Sequence, residues 1–558
     1  MNDILRIICI AVLCYSLLVL WQRWEKWPQN GDVPVSTSAP FVETDGADDG
    51  DSPPAASQNF SDVSESAPGS SASAIDGGGQ GQVVIAETDW LWAAIDSNGG
   101  NIVSLRLKKH TQENGEYYPL FEDGIRRHNA QNGLIGGEFP DHRTAFTFTN
   151  TNTEPTIQLA EGQDSLTVAM LAESGGVRLE KRYIFSRSDY IIRTELVAEN
   201  SGDVPVSPQG YFQFRHNGSG TEQESSFLPS FFGAAVFTDA EKFQKIDYSD
   251  IGNTAFPRRT ADGWIGFIQR YFAAVWLPEA GVEREYFMRS PSSGDARLGV
   301  IVPFAEIAPG QKRTMVVNLF AAAQEQEILN QLNESGAAPG IHLVVDYGWL
   351  TFIAVLLFKL LAFVQGFAQN WGLSVVLLTF LIKLAFYPLS SVSYRSIARM
   401  KELAPRIKDL QEIHKGDKQK MQQAMMAMYK EKKINPLGGC LPVLLQIPVF
   451  IALYWVILGS VELRQAPFYG WITDLSAPDP YFILPILMGG AMFTQTKLSP
   501  TPPDPTQAMI IRMMPLFFTV FSLFFPSGLV LYWLVNTLLS IAQQWHITRA
   551  IARAKGGG

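Results

Sequence analysis

One ionisable side chain stands apart in the C-terminal half of the chain. Lys383 sits in Thr379-Phe380-Leu381-Ile382-Lys383-Leu384-Ala385-Phe386-Tyr387-Pro388, inside an apolar run over 371–388. A cation in such a run has two ordinary explanations. It snorkels to the headgroups along its aliphatic stem, or it faces a hydrated cavity inside the protein, the usual home of ionisable groups in spans. Polar side chains recur on the other apolar runs. They are Gln446, then Thr494 and Gln495, then Thr519 and Ser522, then Asn536, Thr537, Ser540, Gln543 and Gln544. Such residues hydrogen-bond helices to one another, and their spread over every run also favours a hydrated interior. No nucleophile–base pair and no paired carboxylate accompanies them, so an enzyme is not expected.

Other chemistries are excluded by what the chain lacks. The seven His residues show no metal spacing, and Cys9, Cys14 and Cys440 form no CxxC pair. No phosphate loop, dinucleotide fingerprint, HExxH or GxSxG string occurs. No cofactor is therefore expected. Charged residues make up 18% of the chain and aromatics 12%. The first figure lies below the ~25% usual for soluble domains. The net charge of −10 is concentrated in one segment: residues 28–82 hold nine acids and no Lys or Arg. The acidic balance describes that segment, and no DNA partner is expected.

The elements that must position these side chains follow from composition. Residues 1–27 read as an uncleaved membrane anchor, with apolar residues from Ile4 and an interfacial cluster of Trp21, Trp24 and Trp27. Residues 28–82, rich in Ser, Pro, Gly and Asp, read as a flexible acidic tether. Period-2 alternation then marks strands at 142–150, 165–173, 177–187, 190–200, 211–217, 271–278 and 311–322. With no helices between them they imply an all-β sandwich or barrel over 83–340, closed by a short helix at 324–335. Five spans are expected at 371–388, 441–459, 481–496, 508–525 and 528–546, within a core of 371–558. A sixth apolar run, 349–370, carries Lys359 at its middle. Only Asn370-Trp371 separates it from the next run, so the 341–370 segment is read as a linker and an amphipathic helix lying on the interface.

Between the first two core spans, 389–440 carries eleven Lys or Arg against five acids. The positive-inside tendency makes it cytoplasmic. Apolar residues Ile397, Met400, Leu403, Ile407, Leu410 and Ile413, then Met421, Met425 and Met428, recur at helical spacing around a turn at 414–417. A helical hairpin is expected, with Arg395, Arg399, Lys401 and Lys408 on its basic face. With the anchor, the fold class is a polytopic α-helical membrane protein of six spans. Both termini lie inside, and the β domain lies in the periplasm of a double-membraned bacterium.

Three long strings carry a resemblance: NPLGGCLPVLLQIPVFIALYWVILGSVELRQAPF (435–468), DPYFILPILMGGAMF (479–493) and FPSGLVLYW (525–533). They resemble the YidC/Oxa/Alb family of membrane protein insertases. TDWLWAAIDSNGGNIVSLRLKKH (88–110) and GWIGFIQRYFAAVWLP (263–278) extend the likeness to the Gram-negative type with a large periplasmic domain. The resemblance implies a β-supersandwich for that domain. It also implies that the five core spans enclose a hydrophilic groove open to cytoplasm and lipid. The groove cation falls on Lys383, and Thr379, Gln446 and Trp533 match groove positions. Relatives usually carry Arg where this chain has Lys383, which keeps the charge but loses the forked donors. Implied partners are nascent membrane protein clients, the Sec translocon, the ribosome and the lipid bilayer of the inner membrane. Two rival readings are a small-molecule transporter and a membrane-anchored sugar-processing enzyme. The first lacks paired broken helices and equal repeats. The second would use His and Glu residues of the β domain.

Overall fold

The computed structural model describes residues 52–55, 81–149, 155–219, 231–252, 258–290, 294–413, 418–432, 441–498 and 505–556. The expected anchor, nearly all of the tether and the 414–417 turn lie outside them. The chain divides into two compact units between Val344 and Val345.

The first unit is built on a ten-stranded and a nine-stranded sheet. Alternation explains the local choice: Val177–Ser186 buries every second side chain. It pairs antiparallel with Ser165–Ser174 around Gly175 and Gly176. Both turn glycines have positive φ, 57° and 71°, as a two-residue hairpin requires. The expected strands at 165–173, 177–187, 190–200, 211–217, 271–278 and 311–322 are all present within a residue or two. The expected strand at 142–150 shrinks to Thr147–Phe148. There the Asp141 carboxylate accepts from Arg143 N at 2.8 Å and Thr144 Oγ1 accepts from Asp141 N at 3.0 Å, making a turn instead. Helix α1 spans Gln326–Glu334.

The interior of this unit holds Trp264, Trp276, Tyr211 and Phe185, all fully buried. It also buries polar groups. Strand Gln209–His216 runs antiparallel to Arg127–Ile135 in a register that sets His216 opposite His128. Their rings lie 4.7 Å apart. His128 Nδ1 bonds the Leu120 carbonyl at 2.9 Å, and Gly218 N donates to His216 Nδ1 at 2.8 Å. Burial, with the neighbouring His216 and Arg126, holds His128 well below the ordinary imidazole range. Burial and Arg126 push His216 down to about 3. Unfolded chain takes up protons on these rings that the folded unit refuses. Stability from the pair is therefore complete above about pH 6.5 and falls as pH drops towards 4. Protease susceptibility of this unit is expected to rise over that window, and a His128→Phe, His216→Phe double variant is expected to flatten the dependence. An unchanged profile in that variant would refute the assignment.

The second unit is helical. Its elements are α2 (Thr351–Ala368), α3 (Trp371–Ala385), α4 (Tyr387–Glu402), α5 (Ala404–Ile413), α6 (Lys418–Glu431), α7 (Leu441–Gly459), α8 (Ile483–Leu498), α9 (Pro505–Ser522) and α10 (Ser527–Gly556). The side chain of Asn370 caps α3, accepting from Leu373 N at 2.9 Å. Helix α2 buries Ala354, Leu357, Phe358, Leu361 and Val364, a stripe at helical spacing. Ala354, Leu357, Phe358 and Leu361 of that stripe join Leu378, Leu453, Val456 and Ile457 in one apolar core. Helices α8 and α9 approach closely at Gly489, where an added Cβ would stand 2.0 Å from Thr519 Oγ1.

The opposite faces stay apolar and exposed: Phe380 and Leu384 on α3, Ile486 and Phe493 on α8, Met513, Leu516, Phe517 and Phe521 on α9. Aqueous surfaces do not carry apolar patches on this scale. Among the described residues one helix alone, Gly348–Ala368, is long and apolar enough to cross a membrane. Helices α3 and α4 pass that test as a pair bent by 69°. The apolar run expected over 371–388 thus breaks at Phe386, since α4 restarts with Pro388 in its first turn, where a missing N–H costs nothing. The last helix runs about ten residues beyond the expected 546.

Candidate functional site

Lys383 lies in the last turn of α3, on the same face as Thr379 and Val375. The three recur at intervals of four, which on an α-helix stacks them along one stripe. That stripe meets the long helix α10, which buries Thr537, Ser540 and Gln544 at spacings of three and four. Lys383 is 3% exposed and Ser540 4%. Lys383 Nζ donates to Ser540 Oγ at 2.7 Å. Ser540 Oγ in turn donates to the Asn536 carbonyl at 2.7 Å. The phenol of Tyr394, from α4, also hydrogen-bonds Ser540. A buried charge needs such polar company, because taking an ammonium out of water is costly.

The three residues grouped with Lys383 from the sequence are placed differently. Thr379 is fully buried, and its hydroxyl donates back to the Val375 carbonyl at 2.6 Å. Gln446 is half-buried on α7. Trp533 sits edge-on between Phe450 and Phe518, with ring centroids 5.0 and 4.8 Å away. The structure pairs Lys383 with Ser540 rather than with any of the three. A cavity of about 430 Å³ opens beside α10, lined by Ile397, Glu402, Leu498, Gln544, Trp545 and Arg549 among others. None of the four expected groove residues lines it.

Arg395 and Arg399 are exposed on α4, one turn apart. The side chains of Lys401 and Lys408 lie outside the described residues. Leu403 and Met428 pack together with Met400, Ile407, Leu410 and Tyr429, so α5 and α6 share a small apolar cluster. Sequence reasoning counted Ser540 among many polar span residues and passed over Tyr394. No local signal in the sequence sets Ser540 apart; the packing of α10 against α3 picks it out.

The 60Kd inner membrane protein family matches residues 363–554, and the YidC periplasmic domain family matches 83–360. The membrane protein insertase YidC of Cupriavidus necator is 44% identical over 562 residues, covering 99% of each chain. That of Methylobacillus flagellatus is 44% identical over 558 residues, covering 99% of this chain and 98% of its own. A crystal structure of an active YidC insertase with its first transmembrane domain resolved shares 18% identity. It covers 83% of this chain and 93% of its own, at a TM-score of 0.39. The chain belongs to the YidC family of membrane protein insertases, inner-membrane proteins with a periplasmic β domain and a helical C-terminal part.

Proposed function

We propose that this insertase works through a hydrophilic groove whose cation is Lys383, with Thr379, Gln446 and Trp533 along the client's path. The observation that carries the reading is the buried Lys383 among polar side chains, in a helical unit otherwise faced with apolar residues. A client's short polar tail enters beside the ammonium and is held there while its apolar segment slides outward into lipid. Burial of that segment supplies the drive at ~25 cal/mol per Å². The membrane potential moves acidic tails outward at ~2.3 kcal/mol per charge per 100 mV. No nucleotide is used by the chain itself.

The topology proposed is an N-terminal anchor and five core spans, with both termini in the cytoplasm. The β domain is periplasmic, and the basic segment 389–440 is read as a cytoplasmic helical hairpin. An odd number of crossings must separate the two. Either α2 or α3 crosses, and not both. We assign the crossing to α3 and lay α2 on the outer interface, since Lys359 is exposed at its middle. The basic face with Arg395, Arg399, Lys401 and Lys408 receives ribosome-bound clients, alone or with the Sec translocon.

Photocrosslinkers at positions 446 and 533 are expected to capture a ribosome-bound nascent membrane protein, whereas one at exposed Phe517 captures lipid. Reversing Arg395, Arg399, Lys401 and Lys408 to Glu is expected to lower that capture at low salt, where such contacts are strongest. Equal capture at all three positions would sink the groove. Unchanged capture by the reversed chain would sink the basic face.

A further inference from the structure

Ser540 has three hydrogen-bonding partners. Its hydroxyl offers one donor and two acceptor sites. The donor goes to the Asn536 carbonyl of its own helix at 2.7 Å. An acceptor site takes Lys383 Nζ at 2.7 Å, and the Tyr394 phenol hydrogen-bonds the same hydroxyl. Lys383 and Tyr394 come from opposite sides of the break at Phe386. Lys383 lies in the last turn of α3, and Tyr394 in the second turn of α4. A single hydroxyl on α10 therefore ties down both arms of a pair bent by 69°. All three side chains are buried.

We propose that Ser540 and Tyr394 are positioning residues that form a latch, holding Lys383 withdrawn until an acidic group of a client displaces Ser540 from the ammonium. The inference rests on Lys383 being the groove cation. The exchange is favourable for a chemical reason. A carboxylate replaces a neutral hydroxyl as acceptor, and charge-assisted hydrogen bonds are roughly twice as strong as neutral ones. Release strands nothing on α10, because Ser540 keeps its bond to the Asn536 carbonyl. A client with a neutral tail offers no such exchange and leaves the latch closed. Selectivity for acidic tails thus depends on how firmly Ser540 holds Lys383 as well as on the cation itself.

Site-resolved amine labelling of the full-length chain in membranes, read by mass spectrometry with exposed Lys359 as internal reference, tests the latch directly. Ser540→Ala is expected to raise labelling of Lys383 about tenfold, the scale of losing one hydrogen bond to a charged group. Ser540→Thr keeps the hydroxyl and is expected to restore the protected level. Tyr394→Phe is expected to fall between them. In parallel, the Ser540→Ala chain is expected to insert a doubly acidic client better relative to its neutral twin than the parent does. Unchanged labelling in Ser540→Ala overturns the latch, and raised labelling with an unchanged client ratio overturns its role in gating. If Lys383→Ala leaves that ratio at the parent value, the groove reading itself fails, while the labelling still reports whether Ser540 holds Lys383.

Discussion

Lys383→Glu is expected to cut insertion of a doubly acidic client about tenfold relative to its neutral twin, a difference of about 1.4 kcal/mol. The scale follows from electrostatics. Exchanging an attractive for a repulsive unit charge near a client carboxylate is worth on the order of several kcal/mol at an effective dielectric near 20, before water and salt reduce it. Lys383→Arg is expected to be tolerated, since it keeps the charge and adds forked donors. Lys383→Ala is expected to be intermediate, because the dipoles of Ser540, Thr379 and Gln446 remain. A lysine that merely snorkels predicts something else: a nearly neutral Ala variant and, for Glu, equal losses for both clients. Insertion assays on the client pair, differing only in tail charge, separate the two. Identical losses for both clients would leave Lys383 as an anchor.

Lys181→Ala is expected to destabilise the β unit by about 2–5 kcal/mol while leaving insertion largely intact. Lys181 is fully buried, and its Nζ donates to the Gly99 carbonyl at 2.6 Å and to the Asn132 carbonyl. It also stands 4.5 Å from the centre of the Phe146 ring. Truncation removes the donor from both carbonyls and leaves a cavity. Lys181→Met keeps most of the volume and is expected to cost less, since an apolar replacement of similar size avoids burying a charge. The pH dependence carries a second signature. Burial pushes the Lys181 ammonium down to about 7, with Asp141 opposing. Between pH 7 and the ordinary lysine range near 10.4 the unfolded chain holds a proton that the folded unit has released. Stability from this site therefore rises as pH is raised through that window. Pulse proteolysis of the full chain in membranes reads both effects. A parent-like profile for Lys181→Ala would refute the structural role, and parallel loss of insertion would tie the β unit to the reaction.

Much of the fold was legible in the chain because period decides it. Strand Val177–Ser186 buries every second side chain, and apart from Lys181 those positions are apolar or aromatic in the sequence. The apolar run over 441–459 coincides with Leu441–Gly459, since nineteen residues without a charge have one way to satisfy their backbone in an apolar setting. The misreading fell where local polar contacts override a pattern. The run from His142 looked like a strand until Asp141, Arg143 and Thr144 closed a turn on one another. The span expected over 371–388 ends three residues sooner, at Ala385, where the axis turns by 69° into α4.

Sequence alone determined the two classes of architecture, the basic segment, the family strings and the identity of Lys383 as the unusual charge. Those features depend on residue type and near-neighbour spacing. Tertiary structure decided what Lys383 touches. Ser540 lies 157 positions away, and nothing local distinguishes it from the other polar residues of α10. Only the packing of α10 against α3 and α4 brings the hydroxyl, the ammonium and the Tyr394 phenol to one point. The same holds for His128 and His216, which become neighbours through strand register. A hydrogen bond acts over about 3 Å, so a partner separated by many turns of chain is chosen by packing and carries no mark in its own sequence neighbourhood.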